Sequence, residues 1–128
     1  MRVSKCACGA CSVEVEGDPV RNGLCNCDDC RRRTGAPFGW SVYFLNQQVG
    51  KAIGPFTVRR VDTGEFAPHE RHFCSQCGST LFWLAGPVTG FAGGCFNDPN
   101  LHAPKVVRRY AQRMPWSVFP TSCDIIDT

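Results

Sequence analysis

At 128 residues the chain has room for one modest core, and 14 Lys+Arg against 11 Asp+Glu give a formal charge of only +3. Seven cysteine thiolates around two zinc ions would bring that charge to zero, which argues against the broad basic face of a nucleic-acid binder and against attraction to anionic membranes. Ten cysteines without a signal-peptide-like start in MRVSKCAC point to metal binding in the cytoplasm rather than to disulfides after secretion.

Taken along the chain, short alternating segments dominate. CACGAC (6 to 11) opens it, and CSVEVEG (11 to 17) reads as a half-buried strand with Cys11, Val13 and Val15 on one face. CNCDDC (25 to 30) repeats the spacing C-x-C-x-x-C of the first motif. It runs into DDCRRRTG, the best helix, with Asp28 as the expected N-cap and Gly35 as the stop. FGWSVYFL (38 to 45) and PFTVRRV (55 to 61) read as strands. FCSQCGS then places Cys74 and Cys77 at knuckle spacing before Gly78. STLFWL (79 to 84), TGFAGGCF (89 to 96) and KVVRRY (105 to 110) read as further strands, with DPNLH (98 to 102) as a single turn. WSVYFL and LFWLAG are far too short to span a bilayer. Thirteen glycines and nine prolines punctuate these segments, as suits one mainly β zinc-binding domain over 1–128 with little helix.

The knuckle supplies two ligands, and CACG has the matching form of a cysteine pair followed by glycine. Joining Cys6 and Cys8 to Cys74 and Cys77 would close a structural zinc site across distant segments. Cys11 either packs with Val13 and Val15 or competes for that site. Cys25, Cys27 and Cys30 then form a separate triplet, on which a zinc ion would keep one coordination position open unless His72 or Cys95 closes it. His69 and His102 are weaker candidates, and an iron–sulfur cluster prefers four thiolates at other spacings. Cys123 reads as a free thiol. Arg31, Arg32 and Arg33 point about 100° apart on a helix. They form either a solvated face or a receptor for substrate carboxylates beside the metal, for which Arg31 and Arg32 are the candidates. Trp40, Phe44, Phe82 and Trp83 read as core or pocket wall.

CACGACSVEVEG, CNCDDCRRRTGAPFGW, FCSQCGSTLFW, GGCFNDP and PWSVF occur in that order, from about Lys5 to Phe119. This set resembles the glutathione-dependent formaldehyde-activating enzyme family, which is related to centromere protein V. The resemblance implies a β-tent of several small antiparallel sheets. It also implies a structural zinc on Cys6, Cys8, Cys74 and Cys77 and a labile, catalytic zinc on Cys25, Cys27 and Cys30. The expected function is that of a carbon–sulfur lyase of the S-(hydroxymethyl)glutathione synthase type, acting on a glutathione or other thiol adduct of a small aldehyde. The alternative is a non-catalytic zinc module that binds a protein or carries a thiol metabolite. Two positions depart from the family pattern: Asn26 stands where a histidine is usual between the first two triplet cysteines, and Val107 lies near the place of a histidine before the last strand.

Overall fold

Short strands separated by glycine and proline turns build the molecule. The computed structural model describes residues 1–64 and 66–126. In chain order the elements are β1 (Arg2–Lys5), β2 (Ser12–Val15), β3 (Arg21–Cys25), α1 (Asp28–Thr34), β4 (Gly39–Leu45) and β5 (Val49–Ile53). They continue with β6 (Phe56–Val61), β7 (His69–Cys74), β8 (Thr80–Ala85), β9 (Val88–Ala92), β10 (Val106–Arg108) and β11 (Asp124–Ile125). Among the described residues α1 is the only α-helix, and no helix is long and apolar enough to cross a membrane.

One sheet runs β1-β2-β5 and the other β11-β10-β3-β4-β9-β8-β7-β6. The mainly β character with little helix is as expected. The pairings are antiparallel except at β10, which lies parallel to both β3 and β11. That exception places Arg108 opposite Cys25, so the far end of the chain reaches the triplet loop.

The alternation in β2 reports its burial faithfully. Cys11, Val13 and Val15 are fully buried, whereas Ser12 and Glu14 are only partly so. They pack with Val42 and Phe44 of β4, Leu81 and Phe82 of β8, and Phe91 of β9 in one core. Its aromatic rings meet edge-on, Phe44 with Phe91 at 5.6 Å and Phe56 with Phe82 at 5.3 Å between centroids, an arrangement favoured by the ring quadrupoles.

Three expectations shift. The strand expected over 89 to 96 ends at Ala92, where Gly93–Phe96 winds into a 3-10 turn. The backbone at Gly93 lies so close to the Trp40 ring that a Cβ would collide with it. The strand expected over 105 to 110 is confined to β10. The N-cap of α1 is Cys27 instead of Asp28: its backbone is extended and its sulfur accepts the Cys30 N–H. Asp28 and Asp29 instead occupy the first turn, where their charge suits the helix dipole. Gly35 ends the helix as expected, in the left-handed region at φ 68°. The expected turn at 98 to 102 closes with Leu101 N–H donating to the Asp98 carbonyl.

Candidate functional site

The four-cysteine cluster is built by two glycine-ended turns. Cys6 follows β1 and Cys74 ends β7. In each turn a glycine N–H donates back to the first cysteine carbonyl, Gly9 to Cys6 at 3.1 Å and Gly78 to Cys74 at 2.9 Å. Gly9 has φ 82° and Gly78 φ 80°, a conformation glycine takes without a Cβ clash. The Sγ atoms of Cys6, Cys8, Cys74 and Cys77 all lie within 4.8 Å of one another. Cys6 and Cys8 sulfurs are 3.6 Å apart and Cys8 and Cys74 sulfurs 3.7 Å. Four sulfurs about 2.3 Å from a tetrahedral zinc ion would stand roughly 3.8 Å apart, so the cluster has the size of that metal. Cys6 and Cys77 are drawn toward the thiolate, whereas Cys8 is pushed up to about 11. Backbone N–H groups of Cys11, Gln76 and Cys77 point at the Cys6 or Cys74 sulfur. The Cys77 thiol is drawn down to about 5, chiefly by the Ser79 hydroxyl.

Cys11 stands outside this group. Its thiol donates to the Pro55 carbonyl at 3.1 Å, and burial pushes its pKa up to about 12. The two C-x-C-x-x-C motifs therefore diverge at their third cysteine for a local reason. After Cys8 the Gly9 turn feeds β2, and the strand carries Cys11 into the core. After Cys27 two acidic residues open α1, and the helical curl returns Cys30 to its partners.

Cys25 ends β3, Cys27 caps α1 and Cys30 lies in its first turn. All three are buried, and their sulfurs lie within 4.8 Å of one another. Hydrogen bonds from the Cys25 and Cys30 thiols draw Cys27 down to about 2, while Cys25 and Cys30 are pushed up by the same contacts. The three buried sulfurs titrate as one coupled group, and a divalent cation bound among them would displace their thiol protons. Three soft sulfur donors suit zinc. Among the described residues no fourth histidine, cysteine or carboxylate joins the group. His72 instead stacks on Phe82 at 4.3 Å, Cys95 points at the Thr80 carbonyl, and His102 meets Asn22.

Asn26 fastens the loop from behind. It is fully buried, and both its backbone N–H and its Nδ2 donate to the Arg108 carbonyl, at 3.1 and 3.0 Å. Its own carbonyl accepts from Arg31 Nε at 3.1 Å. Val107, beside it on β10, is buried in the sheet.

A pocket of about 680 Å³ opens beside the triplet, and Cys25 and Cys30 form part of its wall. Tyr43 and Trp83 supply aromatic surface, and Gly90 leaves the space that the Trp83 indole fills. Trp83 Nε1 donates to the Tyr43 hydroxyl at 3.4 Å, and burial raises the Tyr43 pKa. Arg33 lies over the Trp83 ring at 4.6 Å. Arg33, Arg71 and Arg108 all line this pocket. Arg31 and Arg32 do not. Arg31 is held by Asn26, Arg32 pairs with Asp28 at 3.1 Å on an exposed face, and both border a shallow groove with Met114 and Trp116. The arginine run was visible in sequence, but which member turns inward depends on how a seven-residue helix is rotated against β4. Arg71 and Arg108 come from strands distant in sequence and gave no signal. Of the aromatic residues expected as core or wall, Phe44 and Phe82 are core, Trp83 is wall, and Trp40 packs on the core while donating to Asn22.

A mainly β fold carrying two cysteine clusters able to hold metal ions defines the class of protein. The family model described as glutathione-dependent formaldehyde-activating enzyme matches residues 1–113, and the chain belongs to that family. A curated protein of Fusarium vanettenii that carries the same family name is 30% identical over 103 residues, which cover 79% of this chain and 54% of that protein. The chain thus spans about half the length of this curated relative. A crystal structure of a Rhodobacter sphaeroides protein shares the fold with a TM-score of 0.59 and 20% identity, over 80% of this chain and 97% of that one.

Proposed function

We propose that the protein is a zinc-dependent carbon–sulfur lyase-like enzyme that makes and breaks the adduct of glutathione, or a related thiol, with a small aldehyde. Cys6, Cys8, Cys74 and Cys77 hold a structural zinc, and Cys25, Cys27 and Cys30 hold a labile one. The observation that carries this reading is that the three-sulfur cluster opens onto a pocket with arginine and aromatic walls, next to which no fourth protein ligand stands among the described residues. The ten free cysteines suit a reducing compartment such as the cytoplasm.

A zinc ion with an exchangeable position supplies one thing, a site where a thiol gives up its proton. That gain is limited. A free thiol of pKa about 8.5 is already a few per cent ionised at neutral pH, so full ionisation is worth about 30-fold, or roughly 2 kcal/mol. Orientation by the protein must supply the rest. Arg33 takes a carboxylate of the thiol peptide. Trp83 and Tyr43 wall off water and position the aldehyde. The Tyr43 oxygen already accepts the Trp83 N–H, which leaves the hydroxyl proton to point at the carbonyl oxygen. Its raised pKa keeps that proton in place at neutral pH. In the addition the sulfur–carbon bond forms as the carbonyl π bond breaks, and the oxygen takes up a proton from Tyr43, which the thiol proton replaces by way of solvent. The lyase direction reverses each movement.

Cobalt replacing the labile zinc tests this reading. Glutathione should change the ligand-field spectrum, and the loaded protein should speed adduct formation from glutathione and formaldehyde. A spectral change without turnover would leave a thiol-carrying module, and no spectral change with any thiol would overturn the open site.

A further inference from the structure

Strand register carries the cationic wall of the pocket one strand beyond its lining. Arg59 of β6 stands directly opposite Arg71 of β7, Arg71 opposite Trp83 of β8, and Trp83 opposite Gly90 of β9. Residues paired across a ladder point to the same face of the sheet. Arg59 therefore lies on the pocket face, exposed on the outermost strand of the larger sheet. Like charges directly opposite each other are unfavourable unless an opposite charge joins them. Among the described residues no carboxylate pairs with Arg59, whereas its neighbour Arg60 meets both Asp62 and Glu70.

One carboxylate does reach this corner. Asp29 Oδ2 lies 3.5 Å from Arg71 Nη2, which also lies 3.5 Å from His69 Nε2. Arg71 is therefore engaged by protein groups and holds Asp29 in place. Asp29 lines the pocket with its side chain 54% exposed, and among the described residues nothing donates to its Oδ1. A solvent-facing guanidinium and a carboxylate with one unengaged oxygen thus both border Arg71. Together they complement a group that bears a carboxylate and an ammonium on one carbon.

We infer that Arg59 and Asp29 together receive a free α-amino acid head, so that the thiol substrate is of the γ-glutamyl class. This rests on the preceding reading that the pocket takes glutathione or a related thiol. The γ-glutamyl carboxylate meets the Arg59 guanidinium, a planar fork suited to it, and the ammonium meets Asp29. Arg33 serves the shorter arm of the peptide. Its Nη2 and the Cys30 Sγ lie 3.1 and 3.7 Å from the point where a Gly39 Cβ would stand, which puts it beside the triplet. The glycine carboxylate brings no ammonium for Asp29, and this fixes the orientation. The spacing agrees. Arg33 lies over Trp83, and Arg59 stands two strands away from Trp83, about 10 Å at the usual strand separation. An extended tripeptide reaches about the same length. Arg71 is a positioning residue that acts through Asp29.

The test is calorimetry of the zinc-loaded full chain with three thiols. N-acetylglutathione lacks the ammonium and keeps both carboxylates, and cysteinylglycine lacks the whole γ-glutamyl head. The native protein should bind glutathione about tenfold more tightly than N-acetylglutathione. In Asp29→Asn the two should bind within about twofold of each other. Arg59→Gln should weaken both about fivefold and leave cysteinylglycine unchanged. Arg59→Lys should recover only part of that loss, because an ammonium lacks the fork. Zinc content should stay native in all three variants. If the native protein binds glutathione and N-acetylglutathione equally, this inference is overturned while the glutathione reading stands. Binding of none of the three thiols overturns both. A preference that survives in Asp29→Asn, or a native glutathione affinity in Arg59→Gln, overturns the assignment to that residue.

Discussion

The sulfur of Cys27 accepts the backbone N–H of Cys30 at 3.3 Å, so the thiol that caps α1 belongs to the same trio as the cysteine whose N–H it receives. In the proposed zinc site capping and metal binding would fall on one atom, and serine separates them. A serine hydroxyl is a good N-cap but a poor zinc ligand. Cys27→Ser should keep α1 and the fold, with stability changed by no more than about 1 kcal/mol. It should also lose one of two zinc equivalents. Metal analysis together with thermal unfolding checks this, and a Cys27→Ser protein that retains both zinc ions would remove Cys27 from the open site.

Cys11 separates packing from ligation in the other cluster. Its thiol donates to Pro55 and lies outside the four-sulfur group. Cys11→Ala should keep full zinc content and lose about 1–2 kcal/mol from the missing sulfur and hydrogen bond. Cys11→Ser, which keeps a donor, should lose less of that hydrogen bond. Loss of a zinc equivalent in either variant would show that Cys11 is a ligand.

These two cysteines also show what the sequence made legible. The pairing of Cys6 and Cys8 with Cys74 and Cys77 could be read because each pair is a local turn ended by glycine, and local turns write their geometry into spacing. β2 could be read because one face is core and the other is not. β7 could not, since its HERHFC lies inside the larger sheet with Arg71 and His69 lining the pocket, which erases the apolar alternation. The parallel contact of β10 with β3 is set by long-range topology, and no spacing signals it. Consequently the two cysteine clusters were visible while most of the pocket was not.

Gly90 tests how the pocket wall is shaped. A Cβ there would run into the Trp83 indole, which also supports Arg33 and Tyr43. Gly90→Ala should cost about 1–3 kcal/mol as the ring is forced aside. Tryptophan fluorescence should shift and S-methylglutathione should bind more weakly, with zinc content unchanged. Native ligand affinity in Gly90→Ala would mean that the indole has no part in binding.

The two metal sites should differ in how readily they lose zinc. Cys6, Cys8, Cys74 and Cys77 join the turn after β1 to the end of β7, so a metal held there would close a long loop and contribute to folding. The triplet spans only β3 and the start of α1. Mild chelation should remove about one zinc equivalent while the circular dichroism of the strands persists, and complete chelation should unfold the chain. Joint release of both ions in a single unfolding step would contradict this division.

The arginine run supplies the sharpest comparison, because three neighbours on one short helix have three different surroundings. Arg32 pairs with Asp28 in solvent, and such pairs contribute little. Arg31 braces the loop through the Asn26 carbonyl, so its effect should fall on metal retention. Arg33 alone of the three lines the pocket, over Trp83. Arg33→Ala should therefore weaken glutathione about tenfold, the scale of one charge-assisted carboxylate contact, and leave an uncharged thiol such as 2-mercaptoethanol within about twofold. Arg32→Ala should alter neither ligand. Arg31→Ala should weaken both ligands together, because a loosened triplet loop holds its zinc less well. The quantity to measure is the ratio of the two thiol affinities in cobalt-loaded protein for each variant. A ratio changed by Arg32→Ala and untouched by Arg33→Ala would place the carboxylate receptor on the outer face of α1 and away from the pocket.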